Sequence, residues 1–209
     1  AEKIAAVATG HARTGIGILR LSGDGCIEAA GQVFHLQSGK PLSSLPDRKL
    51  ALGMLFDVQG RPIDHCMAFI SRAPHSYTGE DVIELSVHGG TAMADGLLEA
   101  LITAGCASAG PGGVTRRALE NGRMSLTQAE AVMEVIAANG RQGAALAKSA
   151  LDGRLAKRIG KIQTALQTLN AHLTAWVDYP EEDVPELSDA AFVGTLTEQK
   201  AALDAMRTK

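Results

Sequence analysis

The sequence predicts an α+β domain followed by an all-α helical bundle segment, and three observations support this fold class. Over roughly the first 110 residues, short apolar runs of strand length alternate with segments of helical periodicity. From about Thr115 onward the strand-like runs disappear, and residues that favour helices dominate. A seven-residue apolar repeat then extends from Leu151 to Trp176. We therefore expect two domains, residues 1–118 and residues 119–209.

In the first domain, five apolar runs and two amphipathic stretches define the expected elements. The runs are bounded by Gly, Pro and Ser, which is typical of strands that end in turns. The first expected helix would place Ile27, Ala30 and Phe34 on one face, and Gly105 would end the second. We expect strands at residues 4–8, 16–21, 50–58, 63–70 and 82–88, helices at 24–34 and 92–104, and a loop at 71–80.

The second part of the chain predicts helices only. Thr127 and Glu130 have the spacing of a capping box, which would start a helix there. The repeat indicates an apolar seam that packs either within this chain or against another subunit, and its members are Leu151, Leu155, Ile159, Ile162, Leu166, Leu169, Leu173 and Trp176. An acidic segment with two prolines, residues 178–185, would end this helix, and Ser188 would open the last one.

The composition is that of an ordinary globular protein, with 209 residues, 45% hydrophobic residues and a net charge of −3. Such a charge gives no general attraction to nucleic acid, and 3% aromatic residues argue against a base-stacking surface. The sequence contains neither a secretory signal pattern nor an apolar run long enough to span a membrane. Three widely spaced cysteines, Cys26, Cys66 and Cys106, predict buried thiols in the cytoplasm and no metal site.

Gly10 and Gly15 have the spacing of a phosphate-binding loop, but the surrounding residues exclude that function. Such a loop needs Lys and Ser or Thr directly after the second glycine, and a helix after them. Here Ile16 and Gly17 follow, and a strand-like run comes next. The motif G-x-x-x-x-G-K-[ST] is absent from the whole sequence, so this chain alone is not expected to bind a nucleotide through such a loop.

Two charged residues in predicted strands are candidates for a binding site. Arg20 lies in an apolar strand, where an unpaired charge would be costly, so it needs an ionic partner or a ligand. Glu84 shares a strand face with His88, and is either solvated or available to a ligand with paired N–H donors. Arg116, Arg117 and Arg123 form a basic cluster, for which a solvated surface is the simpler interpretation.

Four segments carry a resemblance to a known family. They are IAAVATG…TGIGILRLSG at the start, PHSYTGEDVIELSVHGG (residues 74–90), GPGGVTRRALENGRMSLTQAEAVMEVI (residues 110–136) and VDYPEED near Asp178. Together they resemble the MnmE (TrmE) family of tRNA-modifying GTPases, with gaps, from Ala1 to about Pro185. The two middle segments are long and specific.

The resemblance implies a fold and a function for the whole family protein. It implies an N-terminal folate-binding domain, similar to one-carbon enzymes, that forms a homodimer, and a helical domain into which a G domain is inserted. With the flavin-dependent partner MnmG, the family protein adds an aminomethyl or carboxymethylaminomethyl group to C5 of the wobble uridine of tRNA, in the cytoplasm. GTP, Mg²⁺ and K⁺ would bind only to the G domain, which we expect to lie beyond this chain.

Three residues match the folate-contacting positions of the family: Arg20, Glu84 and Arg123, the last in place of a lysine. The resemblance implies that they bind 5-formyltetrahydrofolate or 5,10-methylenetetrahydrofolate, and it implies no catalytic or metal-binding residue here. Glu84 would accept from the amidine-like edge of the pterin. Arg20 and Arg123 would contact carbonyl or carboxylate oxygens. Contacts of the homodimer are expected at an exposed strand edge of the first domain.

Some positions depart from the family pattern. Residues 10–15 replace P-P-G-R-G-G, Gly113 stands where the family has Glu and Val114 where it has Phe, and Ser125 replaces Asp. These departures leave open a dimeric scaffold of the same family that no longer binds folate. A third possibility is an independent folate-dependent one-carbon transferase.

Overall fold

The computed structural model describes residues 2–10, 14–138, 148, 150–178 and 188–207. The chain divides into two compact units, Ala1–Met124 and Ser125–Lys209. The first unit contains strands and helices, and the described part of the second contains helices only. The predicted order of an α+β domain followed by a helical segment is therefore confirmed.

A mixed sheet of seven strands forms the centre of the described part of the first unit. Its order is β3-β4-β5-β6-β2-β1-β7, and neighbouring strands are antiparallel except for the parallel pair β1 and β7. The strands are β1 (Ile4–Val7), β2 (Ile16–Ser22), β3 (Phe34–Leu36), β4 (Leu50–Phe56), β5 (Pro62–Ser71), β6 (Val82–His88) and β7 (Ala107–Ser108).

Helices cover one face of this sheet. They are α1 (Cys26–Val33) and α2 (Thr91–Thr103). A third helix, α3 (Gly113–Glu120), follows β7 in the chain. Alternate residues of the central strands, such as Leu19 and Leu85, are fully buried beneath α1 and α2. This period-2 burial follows from strand geometry, because successive side chains point to opposite faces. The side chains on the other face are therefore available to a site.

All three cysteines are buried thiols, as the sequence predicts. Burial, reinforced by nearby carboxylates, raises the pKa of Cys26 to about 12. The pKa of Cys66 is also raised to about 12, again mainly by burial. Because the reactive form of cysteine is the thiolate, burial disfavours the reactive form of these cysteines.

The face opposite α1 and α2 exposes an apolar surface on β4 and β5. Leu52 and Met67 are directly opposite each other across the two strands and are 46% and 40% exposed. Leu50, opposite Phe69, is 61% exposed. We call Leu50, Leu52 and Met67 the open-face patch.

The five predicted strands are confirmed, with ends that differ by one or two residues. The helix at 92–104 is also confirmed, and Gly105 follows it with a φ of +91°, a left-handed conformation that glycine adopts without strain. The placement of Phe34 in a helix is wrong, because Phe34 has extended dihedral angles and begins β3. Strands β3 and β7 were too short to show a periodicity.

The second unit contains α4 (Leu126–Ala137), α5 (Arg154–Asp178) and α6 (Asp189–Arg207) among its described residues. The prediction of a capping box at Thr127 and Glu130 is wrong, because the observed capping box lies two residues earlier, at Ser125 and Gln128. The Ser125 side chain accepts from the backbone of Gln128, whose side chain accepts from the backbone of Ser125. Ser188 is confirmed as the start of the last helix, because its hydroxyl accepts from the backbone N–H of Ala191.

The apolar seam is shorter than the sequence indicates. Gly153, with a φ of +71°, separates Leu151 from α5, so the repeat does not form one helix. Within α5, Ile162 and Leu169 are buried, whereas Ile159, Leu166 and Trp176 remain exposed. A groove of about 420 Å³ runs between α5 and α6 and is lined by Ile159, Ile162, Gln163, Leu166, Gln167, Asn170 and Leu203. The segment predicted to end this helix, residues 178–185, lies almost entirely outside the described residues.

Within the described ranges, no helix has the length and apolar character needed to cross a membrane.

Candidate functional site

Arg20 and Glu84 form an ion pair on the face of the sheet opposite α1 and α2. They are directly opposite each other in the register of β2 and β6. Arg20 Nε donates to Glu84 Oε1 at 2.7 Å, and Arg20 Nη2 lies 2.6 Å from the same oxygen. The two side chains are 30% and 26% exposed, so solvent or a ligand can reach the pair.

The pair leaves hydrogen-bonding capacity unused. Glu84 Oε1 receives both contacts from Arg20, and Oε2 receives no hydrogen bond from any residue that the structure describes. Arg20 Nη1 likewise has no acceptor among those residues. A carboxylate with one free oxygen beside a guanidinium with free N–H groups can accept from and donate to the same planar ligand.

Tyr77 covers the guanidinium of Arg20. Its ring centroid lies 5.5 Å from Arg20 Cζ, a cation–π distance. The Tyr77 hydroxyl and the Thr115 hydroxyl are 3.0 Å apart and share a hydrogen bond. This bond connects the loop at residues 72–81 to α3, so the aromatic ring above Arg20 is held from two sides.

A pocket of about 440 Å³ opens beside Arg20. Such a volume lies within the range of small-molecule sites. Arg20 is the charged side chain in its wall, which otherwise consists of apolar, hydroxyl and glycine residues. The lining residues are Ala6, Val7, Ala8, Thr9, Arg20, Leu98, Ser108, Ala109, Gly110, Pro111, Gly112, Gly113, Val114 and Thr115.

Arg123 lies apart from Arg20 and Glu84. Its side chain is exposed, does not line the pocket and makes no ion pair with Glu84. It packs instead against Gly79, where an added Cβ would lie 2.9 Å from Arg123 Cδ. Gly79 also has a φ of +78°, a left-handed backbone conformation that favours glycine. The structure thus brings together two of the three expected site residues.

A second arginine–glutamate pair, Arg117 and Glu80, was not recognised in the sequence as a site element. Arg117 Nη1 lies 3.1 Å from Glu80 Oε1, and the side chains are only 14% and 17% exposed. Glu80 Oε2 also accepts from Ser22 Oγ at 2.9 Å, and Arg117 donates to the carbonyl of Glu2 at 3.0 Å. The ion pair and the hydrogen bonds of Arg117 and Glu80 thus all involve groups of the first unit.

This network joins the elements that surround the pocket. Ser22 ends β2, Glu80 belongs to the loop that carries Tyr77, and Arg117 belongs to the helix that carries Thr115. Ser22 Oγ lies 2.6 Å from Thr78 Oγ1, and the Asn121 side chain donates to the carbonyl of Thr78 at 2.9 Å. The network therefore fixes the relative positions of β2, the loop and α3.

Of the three clustered arginines, Arg117 does not fit the interpretation as a solvated surface. Arg116 does fit it, because its side chain is 79% exposed and pairs with Glu120 one turn later. The available signal was helical spacing, because Arg117 and Ala118 lie three and four residues after the apolar Val114 in α3. Spacing alone, however, cannot identify Glu80 as its partner, because 37 residues separate them.

Asp64 and His88 form a third pair at the end of β6. Asp64 Oδ2 accepts from the backbone N–H of His88 at 2.9 Å, and Oδ1 lies 2.7 Å from His88 Nδ1. Burial acts to raise the pKa of Asp64, but the hydrogen bonds from the His88 backbone and ring outweigh it, so the pKa is lowered. The His88 ring is 78% exposed and lies on the same strand face as Glu84.

No group of three or more potential metal ligands occurs among the described residues.

Comparison with known proteins identifies both units. Residues 3–123 match the family model "GTP-binding protein TrmE N-terminus", and residues 126–209 match the model "MnmE helical domain". The chain is similar to proteins named tRNA modification GTPase MnmE. The one from Symbiobacterium thermophilum is 43% identical over 86% of this chain and 39% of its own length.

Two further relatives with the same name extend the match. The protein from Syntrophomonas wolfei is 42% identical over 97% of this chain and 44% of its own length. The protein from Thermus thermophilus is 41% identical over 89% of this chain and 43% of its own length. The chain thus spans less than half the length of these relatives. By these matches the chain belongs to the MnmE family of tRNA modification GTPases, and it corresponds to their N-terminal and helical domains.

Proposed function

We propose that the first unit binds a reduced folate that carries a one-carbon group, either 5-formyltetrahydrofolate or 5,10-methylenetetrahydrofolate. The observation that supports this most directly is the Arg20–Glu84 pair, which is accessible, incompletely hydrogen-bonded and adjacent to a pocket of about 440 Å³. Arg20 lines this pocket, whereas its partner Glu84 lies beside Arg20 and is not among the lining residues. The match to the TrmE N-terminal model supports the same function.

The chemistry of the pair suits a pterin. A pterin presents an amidine-like edge of N–H donors next to a ring carbonyl, and a carboxylate recognises such donors through charge-assisted hydrogen bonds. Glu84 Oε2 would accept from this edge, and the free N–H groups of Arg20 would donate to the carbonyl. Arg123 is exposed, and its long side chain would contact the terminal carboxylates of the folate from outside the pocket.

The first unit would also form a homodimer. The outermost strands of the sheet, β3 and β7, contain three and two residues, which is little edge for pairing with a second copy. The open-face patch offers more apolar surface, because its three side chains are 40% to 61% exposed. We expect the substitutions Leu52→Glu and Met67→Glu to give monomers in multi-angle light scattering. Leu126→Glu, at a 60% exposed leucine of the second unit, is the control.

The complete protein would be a tRNA-modifying GTPase. With MnmG it would add an aminomethyl or carboxymethylaminomethyl group to C5 of the wobble uridine of tRNA, in the cytoplasm. GTP, Mg²⁺ and K⁺ would bind to a G domain outside this chain. The exposed apolar groove between α5 and α6 is suited to pack against further helices of the helical domain.

Calorimetric titration with 5-formyltetrahydrofolate tests the proposal. We expect saturable binding by the chain, and a loss of at least about tenfold in affinity for Arg20→Ala and Glu84→Ala, which is about 1.4 kcal/mol or more. Glu120→Ala, which removes the exposed acidic partner of Arg116, is the matched control and should bind normally. Unchanged affinity in Arg20→Ala and Glu84→Ala would contradict the assignment of the site.

A dimeric scaffold that has lost folate binding is the second candidate, and Gly113 favours it. The family has an acidic residue at this position, whereas here a Cβ on residue 113 would lie 2.9 Å from the Cβ of Ala109. A side chain at position 113 would therefore require a shift of Ala109 in the pocket wall. Absence of saturable folate binding, together with a dimer in light scattering, would support the scaffold.

A further inference from the structure

The first two turns of α5 carry a face of positive charge, which we call the basic face. It consists of Arg154, Lys157, Arg158 and Lys161. Their spacing of i, i+3, i+4 and i+7 places all four on one side of a helix, over a length of roughly 10 Å. All four residues are exposed.

Acidic groups of the described residues neutralise only part of this face. Lys157, Arg158 and Lys161 make no ion pair with any residue in the described ranges, and Arg154 lies 3.7 Å from Asp152. Asp152 also pairs with Lys148 at 3.3 Å. In α6, Glu198 lines the same groove as Arg158 and Lys161 without forming an ion pair. The acidic residue within α5 itself is Asp178, at the opposite end.

Helix stability does not account for these positions. The N-terminus of a helix carries a partial positive charge, so cations in the first turn destabilise the helix and acids stabilise it. The first turn of α5 nevertheless contains no acid and begins with Arg154, and Lys157 lies in the same turn. The whole chain has a net charge of −3, so the local excess does not reflect a basic composition.

We propose that the basic face binds the phosphate backbone of RNA. This inference rests on the proposed function, in which the complete protein acts on tRNA. Regularly spaced Lys and Arg on one helix face match a row of phosphates, and the unsatisfied N–H groups at the start of α5 reinforce the attraction. A membrane surface fits less well, because part of the neighbouring apolar side, at Ile162 and Leu169, is already buried within the unit.

Fluorescence anisotropy with a labelled tRNA transcript, measured over a series of KCl concentrations, tests this binding. The test variant combines Lys157→Gln, Arg158→Gln and Lys161→Gln in the full chain. The control combines Lys40→Gln, Lys49→Gln and Arg61→Gln, which remove the same charge from exposed positions of the first unit. We expect the test variant to lose about tenfold or more in RNA affinity. The slope of log K against log[KCl] should also become shallower by about 2 to 3.

Three outcomes would overturn the inference: no loss in the test variant, an equal loss in the control, or binding to phosphatidylglycerol vesicles but not to RNA. Titration with 5-formyltetrahydrofolate separates these failures from a failure of the proposed function. If the test variant binds folate and RNA as the parent chain does, this result contradicts RNA binding by the basic face but not the folate site. A parent chain that does not bind folate would contradict the folate site instead.

Discussion

The first unit contains two arginine–glutamate pairs that differ in what surrounds them. Arg117 and Glu80 are 14% and 17% exposed, and serine and backbone groups complete their hydrogen bonds. Arg20 and Glu84 are 30% and 26% exposed, Arg20 lines a pocket, and one oxygen of Glu84 accepts no hydrogen bond from the residues that the structure describes. The same two residue types therefore form a closed structural connection in one place and an open site in the other.

If the open pair binds a ligand as we propose, residue type and charge do not separate structure from function. What separates them is whether the hydrogen-bonding capacity of a buried or half-buried group is fully used within the fold. If this criterion is right, changes at the closed pair will mainly affect stability. Changes at the open pair will mainly affect ligand affinity.

Arg117→Ala is expected to have the largest effect. It leaves the Glu80 carboxylate largely buried without its cation, which we expect to cost about 3 kcal/mol of unfolding free energy. Urea denaturation of the chain, followed by circular dichroism, measures the change. A loss below about 1 kcal/mol would mean that the closed pair does not stabilise the fold.

Glu84→Gln tests the open pair, Arg20 and Glu84, in the same way. The amide keeps the shape of the carboxylate but loses its charge, so we expect about a tenfold loss in affinity for 5-formyltetrahydrofolate. The free energy of unfolding should change by less than about 1 kcal/mol, because the pair is partly solvated. Calorimetry and urea denaturation of the same preparation give both numbers, and a larger effect on stability than on affinity would reverse our assignment.

Asp64→Asn tests a pair of intermediate character. The folded state lowers the pKa of Asp64, so its stabilising effect is complete above the usual pKa of an aspartate and is lost as the pH falls through the folded pKa. We expect the variant to be less stable than the parent by about 1 kcal/mol at pH 7. Thermal melts should show that this difference shrinks below about pH 4. A difference that does not depend on pH would exclude the ionised carboxylate as its cause.

The smallest effect is expected for Glu120→Ala. The pair Arg116–Glu120 is exposed on α3, with side chains 79% and 48% accessible. Exposed pairs four residues apart in a helix contribute about 0.5 kcal/mol or less. This variant therefore calibrates the stability measurements, and a loss as large as that of Arg117→Ala would remove the distinction between buried and exposed pairs.

The sequence predicted those features that depend on local pattern. Strand β2 was expected from a short apolar run and β6 from its alternation, but the opposition of Arg20 and Glu84 also depends on the register in which these antiparallel strands pair. The contact between Arg117 and Glu80 could not be predicted, because it depends on how α3 returns to a loop 37 residues earlier in the chain. Phe34 was assigned to a helix because its apolar spacing continues that of α1, whereas its pairing with Leu55 of β4 makes it a strand residue.

The position of Ser125 has a practical consequence. This residue is the first of the second unit, and its reciprocal hydrogen bonds with Gln128 are complete without any residue before it. An expression boundary placed between Met124 and Ser125 would thus preserve the cap of α4 and all strands of the sheet.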